Sequence, residues 1–287
     1  MTQQKPRPRL KVALTALPDR YIPPSKPSTA SPAVQDAYRQ TQFLMSEPLL
    51  LFERSMNLQL AIVAGNKKAR TAPAAALLSF WSRTYSFLGD ACTLLSRGSY
   101  SSCAPLLRSA LDCLAVERGL IRDGFDEYEE WLTAAIYQVK ERSALAFELG
   151  RYRAGSVLAA DERLGPLYRL LTDLSMPHFG STAFQTGSDS NLQKLSLSFG
   201  DSAFHLGWAE LVIGWLLELS QAQVVTAVES GLFNVSAEAH AGIENFGRDY
   251  QLFRNGGRRC YVEEMDGRFL FHNFRRKPGG VPKRIMF

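Results

Sequence analysis

The chain has 287 residues, 46% of them hydrophobic, which is large for one ordinary domain and short for two well-separated ones. Its net charge of +5 conceals a division: residues 1–26 carry six Lys/Arg against one Asp, residues 248–287 carry ten against four Asp/Glu, and the segment between is net negative by six. Four cysteines, Cys92, Cys103, Cys113 and Cys260, show neither CxxC spacing nor a histidine at zinc-finger distance, which argues against a structural metal and predicts a reduced, cytoplasmic protein.

The N-terminus is basic and has no apolar run or small-residue cleavage site of a secretory signal. Residues 1–31 contain Pro6, Pro8, Pro18, Pro23, Pro24 and Pro27. They are expected to be an extended or disordered arm, with nothing to pack their few apolar side chains against. Residues 32–257 form the predicted helical domain. Ser31-Pro32 supplies an N-cap and a first-turn proline for a helix towards Met45. Ser46-Glu47-Pro48 interrupts or restarts it. Apolar periodicity then resumes through Leu50, Leu51, Met56, Leu60 and Val63 and stops at Gly65-Asn66.

Residues 74–121 are the organising stretch, two long helices folded back on each other at Gly98-Ser99. The first carries Leu77, Phe80, Trp81, Leu88, Ala91, Cys92 and Leu95; the second carries Leu106, Leu107, Ala110, Leu111, Leu114 and Ile121. A fourth helix is expected from Phe125, acidic in its first turns and basic at Arg151 and Arg153, which suits the helix dipole. Residues 154–165 read as a weak helix or loop. Residues 165–174 form a short helix stopped before Pro177, and 179–201 form a Ser- and Gly-rich loop with room for a short strand at 195–199.

Residues 202–229 make the most apolar helix, with Phe204, Trp208, Leu211, Val212, Trp215 and Leu219 as its buried stripe. His205, Glu210 and Glu218 interrupt it, whereas a membrane span needs about 18 uninterrupted apolar residues. An amphipathic helix follows at 236–253. Residues 258–274 alternate as two strands around Asp266-Gly267, a tight-hairpin dipeptide, and 275–287 read as a basic, flexible tail. The expected fold class is all-α, an up-and-down helical bundle with a small C-terminal β-hairpin and basic terminal arms.

Chemistry-bearing motifs are few. The chain has no phosphate-binding glycine loop, no GxSxG, no HExxH and no EF-hand loop. A di-iron bundle needs Glu-x-x-His pairs, but Ser175, Ser202, Ala237 and Phe269 stand three residues before the four histidines. Neither a metal nor a cofactor is expected. His178, next to Pro177 and after a short helix, is the histidine best placed for acid/base work, with Arg169 nine positions before it. A histidine at a helix end is nevertheless more often a hydrogen-bonded structural residue. His205 reads as a satisfied core residue, and His240 and His272 as surface residues. Arg108 and Asp112, one helical turn apart, form a pair worth about 0.2–0.5 kcal/mol when exposed. Cys103 and Cys113 have no base beside them in sequence.

The basic ends supply candidates for polyanion contact: Lys5, Arg7, Arg9, Lys11, Arg258, Arg259, Arg275, Arg276, Lys277, Lys283 and Arg284. Tyr261, Phe269, Phe271 and Phe274 interleave with these arginines. Such aromatics can stack on nucleic-acid bases, or attach the hairpin to the bundle, which is the commoner use of buried aromatics.

The run Leu106-Leu-Arg-Ser-Ala-Leu-Asp-Cys-Leu-Ala-Val-Glu-Arg-Gly-Leu, followed by Tyr168, Ser175 and His178 and a last long helix, resembles prokaryotic helical proteins related to the HEPN superfamily over residues 70–230. The resemblance implies a four-helix up-and-down bundle, often dimeric. Active HEPN members are metal-independent ribonucleases of toxin or phage-defence systems. Their mark is an arginine, four to six residues, then histidine; here eight residues separate Arg169 from His178, and Asp112 replaces the usual glutamate. Together these features predict a non-catalytic interaction or assembly subunit, self-associating or part of a larger complex. Its basic arms would contact RNA, DNA or acidic protein surfaces, without a membrane. The alternative is a HEPN-like ribonuclease using His178 with Arg169 or Arg108.

Overall fold

Several helices start where side chains can satisfy the free amides of a first turn. The computed structural model describes residues 16–66, 71–126, 128, 154–191, 193–256 and 259–287. Among these residues the chain forms α1 (Pro32–Leu44), α2 (Ser46–Gly65), α3 (Ala72–Ser96), α4 (Tyr100–Arg122), α5 (Ala154–Leu158), α6 (Leu164–Ser175), α7 (Phe179–Thr186), α8 (Leu206–Glu229) and α9 (Ala237–Asn255). The strands β1 (Tyr261–Met265), β2 (Arg268–Phe274) and β3 (Lys283–Met286) follow. The protein is thus mostly helical, with a small antiparallel sheet in the order β1-β2-β3. Ser31, Thr71 and Ser236 cap α1, α3 and α9 by accepting the amides of Val34, Ala74 and Ala239 at 3.2–3.4 Å. The helix expected from Phe125 lies almost wholly outside the described residues.

α3 and α4 pack against each other, joined by a turn in which Ser99 N donates to Leu94 O at 3.0 Å and Gly98 sits at φ +72°. A Cβ on Gly98 would also lie 2.2 Å from Ser202 O, so both backbone angle and space demand glycine. α8 runs through the centre, against α2, α3, α4 and α9. Instead of one buried stripe it buries residues on every side, including Ala209, Ile213, Leu216 and Ala227. Length and composition alone would let α8 cross a membrane, but 78% of its most apolar window is buried inside the protein.

A buried hydrogen-bond chain ties α3, α2 and α8 together. Trp81 Nε1 donates to Gln59 Oε1 (2.7 Å), Gln59 Nε2 to Ser220 Oγ (2.9 Å), Ser220 Oγ to Ser55 Oγ (2.7 Å) and Ser55 Oγ to Phe52 O (2.7 Å). Each link satisfies a polar group that would otherwise be stranded in the core.

Several expectations need correction. Residues 16–31 are not helical and most are exposed, but Tyr21 finds partners to pack against. Tyr21 is buried edge-on against Phe52 and Tyr85, and its amide donates to Asn57 Oδ1 at 2.8 Å. Within 179–201 the chain first makes α7 rather than a loop. His178 caps that helix, and its Phe184 is buried against Trp208, Phe271 and Phe274. Residues 195–199 run without forming a strand.

The hairpin turns at Asp266 and Gly267, both with positive φ, which suits a primed two-residue turn. Residues 283–286 form the third strand rather than part of a free tail, and Phe269 and Phe287 exchange backbone hydrogen bonds at 2.9 and 2.8 Å. The carbonyls of Arg276 and Arg275 accept the first amides of α8, from Leu206 and Gly207, both at 2.9 Å. Gly207 admits the Phe274 ring, which a Cβ would meet at 2.7 Å. Phe269, Phe271 and Phe274 are buried, so these aromatics attach the sheet to the helices. His272 is buried too, stacked on Tyr261 and bonded to Glu263 Oε2 at 2.9 Å, because β2 is the central strand.

Deleting residues 283–287 therefore uncovers Phe184 and Phe271 and should lower the Tm by roughly 5–10 °C. An unchanged melting curve by circular dichroism would show that the segment is a loose tail after all.

Candidate functional site

Arg108 projects from α4 onto α6. Its Nε donates to Thr172 Oγ1 at 2.7 Å, a terminal nitrogen donates to Tyr168 Oη, and the guanidinium lies 4.0 Å from the centroid of the Tyr168 ring. Asp112, one turn along α4, completes the cluster as an ion-pair partner. The guanidinium is half-buried and its face is occupied by an aromatic ring, an arrangement that fixes the α4–α6 register. Arg169 lies on α6 beside Tyr168 but pairs with β1: its Nε and Nη2 reach the two carboxylate oxygens of Glu264 at 3.0 and 2.6 Å. This bidentate fork joins the sheet to α6.

His178 occupies a third position. Its Nδ1 accepts the Ser181 amide at 3.2 Å, and its ring stacks on Phe287 at 5.8 Å with a 19° interplanar angle. Among the described residues no hydrogen bond or ion pair joins His178 to Arg108 or Arg169. The three catalytic candidates are thus held in separate structural contacts. The Nδ1 nitrogen of His178 is engaged in capping α7. His205 caps α8 in the same way, accepting Trp208 N at 3.3 Å, with its ring 4.7 Å from Phe274. Burial, and then the nearby Arg276 charge, push the His205 imidazole down to about 4, so it is neutral at pH 7.

The polyanion candidates divide. Lys5, Arg7, Arg9, Lys11 and Arg258 lie outside the described residues. Arg276 is shared by Asp189 and Asp201 at 3.1 and 2.7 Å. Lys283 Nζ donates to the carbonyls of Ser188 and Ser190, both at 3.1 Å, and Arg275 Nη1 to Gly280 O at 3.3 Å. Arg276 and Lys283 hold the C-terminal segment on the loop before α8, whereas Arg275 braces a turn within that segment. Arg259, Lys277 and Arg284 are exposed, with no acidic partner among the described residues.

Sequence reasoning assigned no role to two acidic positions, the half-buried Glu218 and the buried Glu117. Glu218 of α8 is bound by Arg163 and by the Tyr250 hydroxyl, with Arg163 Nη2 also 3.0 Å from Tyr250 Oη. The cluster lies on a cleft of about 540 Å³ walled by Leu167, Trp215 and Tyr261. Burial, then the Glu218 charge, raise the Tyr250 hydroxyl and keep it protonated. Glu117 of α4 is fully enclosed and accepts Gln223 Nε2 at 2.7 Å. Burial raises its carboxyl well above the ordinary range, against the opposing effects of Gln223 and Arg118. The only signal for either was a carboxylate within an apolar helical run.

All four cysteines are buried and free. Burial raises Cys113 to about 11 and Cys260 to about 12, which keeps both as thiols rather than nucleophilic thiolates. Among the described residues no group of three His, Cys, Asp or Glu side chains could hold a metal ion. No known family model matches the chain, and no curated protein or solved structure is similar to it. The HEPN-like resemblance therefore rests on its residues alone.

Two opposed pH effects follow from these geometries. An unfolded histidine takes up a proton near pH 6.5 whereas His205 in the fold resists it. Stability is therefore lost as pH falls from about 6.5 towards 4. His205→Asn, which keeps a capping acceptor, should flatten this acid limb in urea titrations. Glu117 has the reverse sign: the unfolded carboxyl ionises above its ordinary value while the folded one stays protonated. Glu117→Gln should accordingly stabilise the protein at pH 8, with the gain shrinking towards pH 4; an equal gain at both values would contradict the buried neutral carboxyl.

Proposed function

We propose that this chain is a non-catalytic helical interaction or assembly subunit that works in the cytoplasm. The helices are inferred to follow an up-and-down bundle order, and the protein associates with itself or enters a larger complex. Its unpaired basic positions meet nucleic acid or acidic protein surfaces. The observation that carries this reading is how the functional groups are used. The histidines best placed for chemistry cap helices, the candidate arginines pair within the fold, and the thiols are buried. By contrast Phe179, Leu195, Leu197, Phe199, Val281 and Met286, on α7, the following loop and the C-terminal segment, are 52–106% exposed. Large apolar side chains grouped on neighbouring surface segments are a mark of interaction sites.

One observation favours the ribonuclease alternative: Arg108 of the Arg-Ser run meets Tyr168 of the Tyr…Ser…His segment, so the two parts of the resemblance lie together. A single experiment separates the two. Incubated with single-stranded RNA in EDTA, the full chain should leave the RNA intact, while RNA retention, if present, should fall steeply with salt and flatten in Lys277→Ser/Arg284→Ser. EDTA-resistant cleavage by the wild type that disappears in His178→Ala or Arg108→Ala would overturn the non-catalytic reading.

A further inference from the structure

Residues 194–199 are not a strand of the sheet, but their backbone bonds to the rest of the fold at alternate residues only. The amide of Ser196 donates to Ser190 Oγ at 3.0 Å, Ser190 Oγ reaches Ser196 O at 3.3 Å, and Ser198 N donates to Thr186 O at 2.8 Å. The even-numbered residues thus turn their backbone groups inward to the end of α7 and the loop after it. Among the described residues nothing hydrogen-bonds to the amides of Leu195, Leu197 and Phe199 or to the carbonyls of Leu195 and Leu197. In an extended chain successive residues direct their peptide groups to opposite edges and their side chains to opposite faces. The outer edge is therefore an open row of donors and acceptors. Leu195, Leu197 and Phe199 are 67%, 65% and 106% exposed, while Ser196 and Ser198 are half-buried. Gly200, at φ +66°, ends the extended run.

Charge selects the occupant. Lys194 is exposed beside this edge, and Lys283 is fixed to Ser188 and Ser190, the latter the same serine that holds Ser196. Arg284, next to Lys283, and Lys277, next to Arg276, are further exposed cations of the C-terminal segment. The two nearby acids, Asp189 and Asp201, already share Arg276. A second copy would bring the same positive rim against this one.

We propose that residues 194–199 form a docking edge for an extended, acidic segment of a partner protein, which adds as a strand and presents apolar side chains at alternate positions. Main-chain hydrogen bonds supply the register, the apolar row supplies burial, and the lysine and arginine rim selects acidic flanks. The inference rests on the interaction-subunit reading and names the chemistry of the partner. It differs from that reading in what can fail, since RNA cleavage would remove the reading itself, whereas the measurement below addresses the edge alone.

The test uses the full chain and a fluorescein-labelled synthetic peptide in which valine alternates with Asp, Glu and Thr. Fluorescence anisotropy should show saturable binding. Leu197→Asp and, separately, Lys194→Glu/Arg284→Glu should each weaken it by about tenfold or more. All these positions are exposed, so circular dichroism should match the wild type. Methylating the valine amides of the peptide should abolish binding, because the strand can then no longer donate to the open carbonyls. The idea fails if the peptide does not bind, or if a peptide of the same composition without alternation binds equally well. It also fails if light scattering reveals a dimer that Leu197→Asp dissolves, which would assign the edge to a second copy. Sedimentation with anionic vesicles that depends on Phe199 would likewise overturn it in favour of a lipid surface.

Discussion

A helix that is apolar on every side is stable in water only if every side is covered, and α8 imposes that condition on the rest of the molecule. α2, α3, α4 and α9 flank it, and β1 and β2 reach it as well. Its N-terminal end is satisfied too: the tail carbonyls and His205 accept the first-turn amides. Because non-directional burial alone would tolerate rotation of such a helix, the polar groups on it carry added importance. Ser220, Gln223 and Glu218 each bond to a different neighbouring helix, through Gln59 of α2, Glu117 of α4 and Tyr250 of α9. Breaking any of these would strand a buried polar group, at a cost of about 1–3 kcal/mol, so they select one orientation of α8.

The C-terminal segment shows how the same cations can read differently in one dimension and in three. Ten Lys/Arg in the last forty residues suggest a polyanion-binding arm. In the fold Arg275 and Arg276 give their carbonyls to the start of α8, while Arg276 and Lys283 spend their charges on the loop before it. The segment is anchored by Phe274 and Phe287, which join an aromatic cluster with Phe184. Among the described residues Arg259, Lys277 and Arg284 are left exposed without an acidic partner, a much smaller set of cations than the sequence suggests.

The candidate catalytic groups illustrate the limit of motif reading. His178 attracted notice because it stands beside a proline at a helix end, and that same position makes it an N-cap. Arg108 and Arg169 lie close in the primary pattern to helices that meet, yet one faces α6 and the other faces β1. Their separation depends on which face of a twelve-residue helix each neighbour covers, and no spacing in the chain encodes that choice. The buried carboxylate Glu117 was likewise invisible, since a glutamate in a helical run looks identical whether its face is wet or enclosed.

By itself the sequence determined most helices, the Ser31 cap, the Gly98 turn and the Asp266-Gly267 hairpin. These depend on short-range chemistry: capping oxygens, apolar periodicity and the freedom of glycine at positive φ. It also marked α8 as a buried helix rather than a span, because its charges and its apolar run can be read together. Only the tertiary structure decided the rest. α7 exists because Phe184 finds an aromatic cluster drawn from β2, α8 and the final residue. The tail became a strand because β2 offered it an edge, and Tyr21 left solvent because Phe52 and Tyr85 lay within reach. In each case the deciding partner lies far away in the chain, and burial energy depends on that partner rather than on the local residues.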